Sequence, residues 1–144
     1  MKFKSMILVC TGNICRSPYA AAFIKRQMPE MIVSSAGVSA VLGHGVDTLT
    51  AQIARERGVD LQEHIATQLT RSLLYQHDLV VVMEARHQTW IVDRFPAVAG
   101  RIVMVSGRKE LEVADPIGLS PDIYRKSFDL IDQGCQYWAE RLAL

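Results

Sequence analysis

The chain has 144 residues, 49% hydrophobic and 22% charged, with a net charge of +1. That length and apolar share suffice for one domain with a real core, expected over residues 1–144, and a near-neutral balance without a basic stripe argues against nucleic acid as a partner. No apolar run reaches the length of a membrane span and Met1-Lys2-Phe3-Lys4 carries no cleavable signal pattern, so no membrane insertion and a cytoplasmic location are expected. Three cysteines fit thiol chemistry better than a disulfide framework.

In chain order, Ser5 to Val9 reads as a first strand, followed by a short loop containing Gly12 and Asn13. A helix is expected from about Ser17 to Gln27, with Ser17 as N-cap, Pro18 at the first helical position and Ala20, Ala21, Phe23 and Ile24 on its buried side. Met31 to Ser35 is a second strand, ended by Ala36-Gly37, and a long loop runs from Val38 to Val46. Thr48 to Arg57 has helical spacing with Gly58 as its cap, and Thr67 to Gln76 reads as another short helix. Leu79 to Met83 is a continuous apolar run, the mark of a strand buried on both faces of a parallel sheet. Glu84 to Phe95 is a helix stopped by Pro96, Arg101 to Val105 a fourth strand, and Pro121 to Ala143 a closing helix with Ile123, Phe128, Ile131, Trp138 and Leu142 near helical spacing. This alternation predicts an α/β fold: a four-stranded parallel sheet with helices on both faces and a phosphate-binding loop after the first strand. Functional groups in such sheets gather at the carboxyl ends of the strands, where Cys10 and the loop after Val105 both fall.

The loop Cys10-Thr11-Gly12-Asn13-Ile14-Cys15-Arg16-Ser17 carries the chemistry. Gly12 and Asn13 accept left-handed angles, so successive N–H groups can curl into a nest for a tetrahedral oxyanion at a helix N-terminus. Most free cysteines are buried core thiols. Cys10 instead stands before an anion nest that also brings Arg16 to the same anion, and the helix end, the amides and the guanidinium all favour its thiolate. The arginine fork matches two phosphoryl oxygens, which lysine cannot do in plane. Asp115 before Pro116 reads on composition as turn chemistry.

Cys-x5-Arg-Ser at the end of a first strand, with Asp115-Pro116 far downstream, resembles the low molecular weight protein tyrosine phosphatases over essentially the whole chain. The resemblance implies a metal-free and cofactor-free hydrolysis of phosphotyrosine in which Cys10 attacks phosphorus, residues Thr11, Gly12, Asn13, Ile14, Cys15, Arg16 and Ser17 bind the phosphoryl group, and Asp115 is the general acid. It also implies that Ser17 bonds the sulfur, and that Asn13, Ser35 and His64 support the loop with Ser17. Cys15, beside the nucleophile, is a candidate redox partner for Cys10, while Cys135 reads as core.

Many members of that family carry aromatic residues after Asp-Pro, whereas Ile117-Gly118-Leu119-Ser120 follows here. The expected pocket walls are therefore Ile117 on one side and Val41 and Leu42 on the other. Such an aliphatic wall resembles bacterial members associated with polysaccharide-export tyrosine kinases, which implies a phosphotyrosine protein, such as a tyrosine autokinase of exopolysaccharide or capsule production, as partner. The rivals on this fold are a protein arginine phosphatase and a thiol-dependent arsenate reductase. The latter needs relay cysteines, and Leu79–Met83 and the helix after it contain none. A phosphate-binding module without turnover is the alternative from another class.

Overall fold

The computed structural model describes residues 2–143; Met1 and Leu144, the ends of the expected domain, lie outside the described residues. Its strands are β1 (Ser5–Cys10), β2 (Ile32–Gly37), β3 (Leu79–Val82) and β4 (Ile102–Met104), all parallel and ordered β2-β1-β3-β4. The helices are α1 (Arg16–Gln27), α2 (Thr48–Glu56), α3 (Arg71–Tyr75), α4 (Ala85–Arg94) and α5 (Pro121–Leu142).

The period of two in β1 distributes the core. Met6 and Leu8 pack with Tyr19 and Ile24 of α1, Ile53 of α2 and Phe128 and Ile131 of α5, while Ile7 and Val9 face the opposite layer with Leu74 of α3, Ile91 of α4 and Val98. Both faces are covered, so β1 and β3 are buried throughout, which is why they read as unbroken apolar runs. Tyr19 and Phe128 stack with ring centroids 4.1 Å apart and join α1 to α5. No helix among the described residues is long and apolar enough to cross a membrane.

Several element boundaries differ from expectation. The helix expected over Thr67–Gln76 begins only at Arg71, because Thr67, Gln68 and Leu69 extend beside the end of β2: Gly37 donates to the Thr67 carbonyl and Leu69 to that of Gly37, each at 2.8–2.9 Å. Thr70 then caps α3 by accepting from Leu73 N–H. Pro96 to Arg101 is a 3-10 turn rather than a bare loop, and it delivers the chain directly into β4. In α5 the inward positions are Tyr124, Phe128, Ile131 and Cys135, whereas Ile123 is exposed. Ile123 shares the helical spacing of the apolar residues but lies outside the buried stripe.

The sheet order fixes where a ligand can go. The chain leaves β1 for β2 on one side and later crosses to β3 on the other. The carboxyl end of β1 is thus the switch point at which the flanking connections diverge and leave a crevice.

Candidate active site

The crevice at the end of β1 is a cleft of about 230 Å³ lined by Cys10, Thr11, Gly12, Ile14, Cys15, Arg16, Ser39, Val41, Asp115 and Ile117. Its floor is the loop from Cys10 to Arg16. The carbonyls of Cys10, Thr11 and Gly12 accept from the N–H groups of Val38, Ser39 and Val41, that of Ile14 accepts from Asp47 N–H, and that of Asn13 accepts from His64 Nε2 at 2.7 Å. Five consecutive carbonyls are therefore held outward. A peptide N–H points opposite to its carbonyl, so the loop amides turn toward the cleft, where the N-terminus of α1 also aims.

Asn13 is the only non-glycine residue of positive φ among the described residues, at 57°. Its side chain holds that turn: Nδ2 donates to Ser17 Oγ at 2.7 Å and to Ser35 Oγ at 3.0 Å, while Oδ1 accepts from Thr67 N–H at 2.9 Å. At Gly37 a Cβ would collide with the Thr11 carbonyl, so the end of β2 can lie against the loop only as glycine. The structure thus brings Asn13, Ser17, Ser35 and His64 together beneath and beside the loop.

Ser17 is not the N-cap of α1, as its position before Pro18 suggested. The cap is Cys15, the helix starts at Arg16, and Pro18 sits in the first turn, whose N–H groups need no intrahelical partner. The Ser17 hydroxyl is used otherwise: it accepts from Asn13, which leaves its own proton for Cys10 Sγ, 2.9 Å away.

Arg16 is 2% exposed and its guanidinium is aimed by acceptors that the sequence reading did not include. Nη1 donates to Glu84 Oε2 at 2.6 Å and to the Val113 carbonyl at 2.8 Å, while Nη2 lies 3.4 Å from Thr11 Oγ1 and 4.0 Å from Asp115 Oδ2. Burial would push the Glu84 carboxyl up, but the hydrogen bonds from Arg16 and then Arg86 outweigh it and hold the group below the usual carboxylate range. Glu84 lies just past the carboxyl end of β3, a place that sheet topology marks as functional, so its position was readable although its pairing was not.

Asp115 serves both readings of Asp-Pro. Its Oδ1 accepts from Ile117 N–H at 3.0 Å, closing the turn, and the carboxyl lines the cleft opposite Arg16. Ile117, Ile14 and Val41 supply an aliphatic lining. Leu42, expected as a wall, is 66% exposed and does not line the cleft. The turn that follows Val41 explains this: His44 N–H donates to the Val41 carbonyl at 3.2 Å and Gly43 takes a φ of 79°, so Leu42 stands at the tip of the turn, in solvent. Tyr124 is no substitute for an aromatic wall, being buried with its hydroxyl donating to Asp47 at 2.7 Å. Cys15 is buried and its thiol is pushed up by that burial, which disfavours it as a resolving thiol; Cys135 sits in the core.

A family model described as low molecular weight phosphotyrosine protein phosphatase matches residues 5–144. The chain belongs to this family. Among its curated relatives is the probable low molecular weight protein-tyrosine-phosphatase EpsP of Ralstonia nicotianae, 33% identical over 96% of this chain and 96% of that one. The tyrosine phosphatase Wzb from Escherichia coli K30, solved in complex with sulphate, superposes with a TM-score of 0.94 at 33% identity over 97% of this chain and 99% of that chain. The YwlE arginine phosphatase from Geobacillus stearothermophilus superposes at 0.90 with 32% identity, covering 96% of this chain and 92% of that one. The fold is common to relatives named for two different phosphoamino acids.

Proposed function

We propose that the protein is a cytoplasmic protein-tyrosine-phosphatase acting through a cysteinyl-phosphate intermediate. The observation that carries this reading is the convergence of Cys10, Arg16 and Asp115 on one cleft whose floor is a ring of inward amides. Cys10 attacks phosphorus as the thiolate, in line with the tyrosyl oxygen, and the P–O bond breaks as the P–S bond forms. The loop amides and Arg16 carry the charge spread over the equatorial oxygens. Asp115 gives its proton to the departing phenolate, then takes one from the water that attacks the cysteinyl phosphate, releasing inorganic phosphate and restoring the Cys10 thiolate. Ser17, which donates to the sulfur, supports it as nucleophile and as leaving group. No step calls for a metal or cofactor.

The choice of phosphotyrosine rests on the aliphatic lining. Ile14 stands at the loop rim, where it packs against a phenyl ring and would desolvate a guanidinium without offering it a hydrogen bond. The partner best matching the aliphatic Val41 wall and the family resemblance is a tyrosine autokinase of a bacterial exopolysaccharide or capsule system. The test is kcat/KM on matched phosphotyrosine and phosphoarginine peptides. Preference for phosphotyrosine by about tenfold or more is expected, and narrowing of it in Ile14→Thr. Equal or higher values for phosphoarginine overturn the substrate assignment.

A further inference from the structure

Thr11 is the first residue after Cys10, and its side chain has more donors around it than an oxygen can accept from. His87 Nε2 lies 2.9 Å from Thr11 Oγ1, Arg86 Nη2 3.2 Å and Arg16 Nη2 3.4 Å. The tautomer of His87 follows from its other nitrogen: Nδ1 lies 3.1 Å from the backbone N–H of Glu84, which can only donate, so Nδ1 accepts and the ring proton sits on Nε2. The Nε2–H bond therefore points at Thr11. Burial, and then the charge of Arg16, depress His87 to about 4, so the ring stays neutral and keeps this arrangement at physiological pH.

A hydroxyl oxygen has two lone pairs and one proton. His87 and Arg86 fill the lone pairs from the α4 side, so the hydroxyl is left as a donor, and among the described residues no acceptor is placed for its proton. Thr11 lines the cleft and its oxygen lies close to Arg16 Nη2, the guanidinium nitrogen not taken by Glu84 and Val113. We propose that the Thr11 hydroxyl is a substrate-binding group that donates a hydrogen bond to a phosphoryl oxygen, and that His87 is the positioning residue that fixes its direction. This rests on the proposed phosphoryl chemistry and adds to it a side-chain donor with a built-in orientation, set from the α4 side.

The assignment separates two features of the site that would otherwise look alike. The amides of the nest are held by backbone bonds and by the Asn13 and His64 side chains and do not depend on α4. The Thr11 donor depends on α4 entirely, because turning the His87 ring over would remove the Nε2–H bond and release the hydroxyl to rotate.

The experiment is a double-mutant cycle on Thr11→Val and His87→Leu, read by the inhibition constant of inorganic phosphate and by kcat/KM on p-nitrophenyl phosphate, with thermal unfolding run on each variant. Thr11→Val is expected to weaken phosphate and lower kcat/KM by on the order of 10-fold, as for one hydrogen bond to a charged group, while Thr11→Ser, which keeps the hydroxyl, should recover most of that loss. His87→Leu should lose a similar factor, and the double variant should lose no more than Thr11→Val alone. His87→Gln, whose amide can donate to Thr11 and accept from Glu84 N–H, should recover most of the loss. Should Thr11→Val fail to fold, Thr11→Ala replaces it in the cycle. Wild-type phosphate inhibition in folded Thr11→Val, or multiplicative losses in the double variant, overturns the proposal. Absence of turnover in the wild-type protein would instead strike at the phosphatase reading, and phosphate binding would still decide the role of Thr11.

Discussion

The two sides of the anion loop are held by different chemistry. On the β2 side, Asn13, Ser17, Ser35 and His64 form a net of short side chains that bond to each other and to the backbone. On the α4 side, Arg16, Glu84 and Arg86 are joined by charge, with Glu84 accepting from both arginines, and the neutral His87 ring is tied in by accepting from Glu84 N–H and donating to Thr11. The first net fixes backbone shape, since it fastens a residue at positive φ and five carbonyls that face away from the cleft. The second aims side chains, a guanidinium and a hydroxyl, at whatever the backbone encloses. A loop that must be both rigid and electropositive can be built this way without placing a carboxylate next to the anion on the side where the amides converge.

The largest expected effect lies on the charged side. Arg16→Lys keeps a positive charge but not the planar fork, so a lysine that still reaches Glu84 and Val113 would have no second nitrogen for the phosphoryl group. We expect kcat/KM on aryl phosphates to fall on the order of 10²–10³-fold, the usual cost of removing a transition-state donor. Thermal unfolding should change little by comparison. A variant that loses stability but keeps turnover would reverse the division of labour between the two sides.

The β2 side should behave in the opposite sense. Asn13→Ala removes two donated hydrogen bonds and one accepted from Thr67 N–H, and puts an ordinary Cβ residue at a φ of 57°. The expected loss is about 2–4 kcal/mol of stability, seen in denaturant unfolding, with activity falling because the nest no longer closes. Asn13→Gly keeps the backbone angle and loses only the hydrogen bonds, so it should sit between wild type and Asn13→Ala. If Asn13→Gly is no better than Asn13→Ala, the angle contributes nothing and the net acts through its hydrogen bonds alone.

The two sides also differed in how readable they were. Strand β1, the loop and α1 are contiguous, so the Cys-x5-Arg-Ser spacing exposed them directly, and the unbroken apolar runs of β1 and β3 gave away a sheet covered on both faces. Asn13, Ser35 and His64 were reached through the family pattern. Glu84, Arg86, His87 and the Val113 carbonyl were missed because they lie 68 to 97 residues from Arg16 and touch the loop only after β3 docks beside β1. Local spacing also misplaced the start of α3, where the chain is extended along a neighbour and pairing partners rather than intrinsic preference decide which way each side chain faces, and the family pattern misplaced Leu42, which a turn carries outward.

The smallest effect expected is a dependence of stability on pH that belongs to the charged side alone. His87 is held at about 4 by burial and then by Arg16, against about 6.5 for an exposed histidine. Between those values the unfolded chain binds a proton on this ring and the folded protein does not. Stability therefore rises with pH through this window, is fully present above about 6.5, and is lost as pH falls toward 4. Glu84, whose carboxyl is held below the usual range, adds a loss of stability of its own toward low pH, and that loss is common to wild type and a His87 variant. The groups that face the ring pull in both directions, Arg16 and Arg86 against its protonation and Glu84 and Asp115 in favour, yet burial decides the balance. The total is on the order of 2–3 kcal/mol. Urea unfolding at pH 4.5 and pH 7 measures it as a difference between wild type and His87→Gln, which cancels the carboxylates and other histidines common to both. The wild type should lose more stability than the variant on going to pH 4.5. An equal loss in both would mean that protonated His87 is tolerated beside Arg16, and that the ring is free to turn away from Thr11.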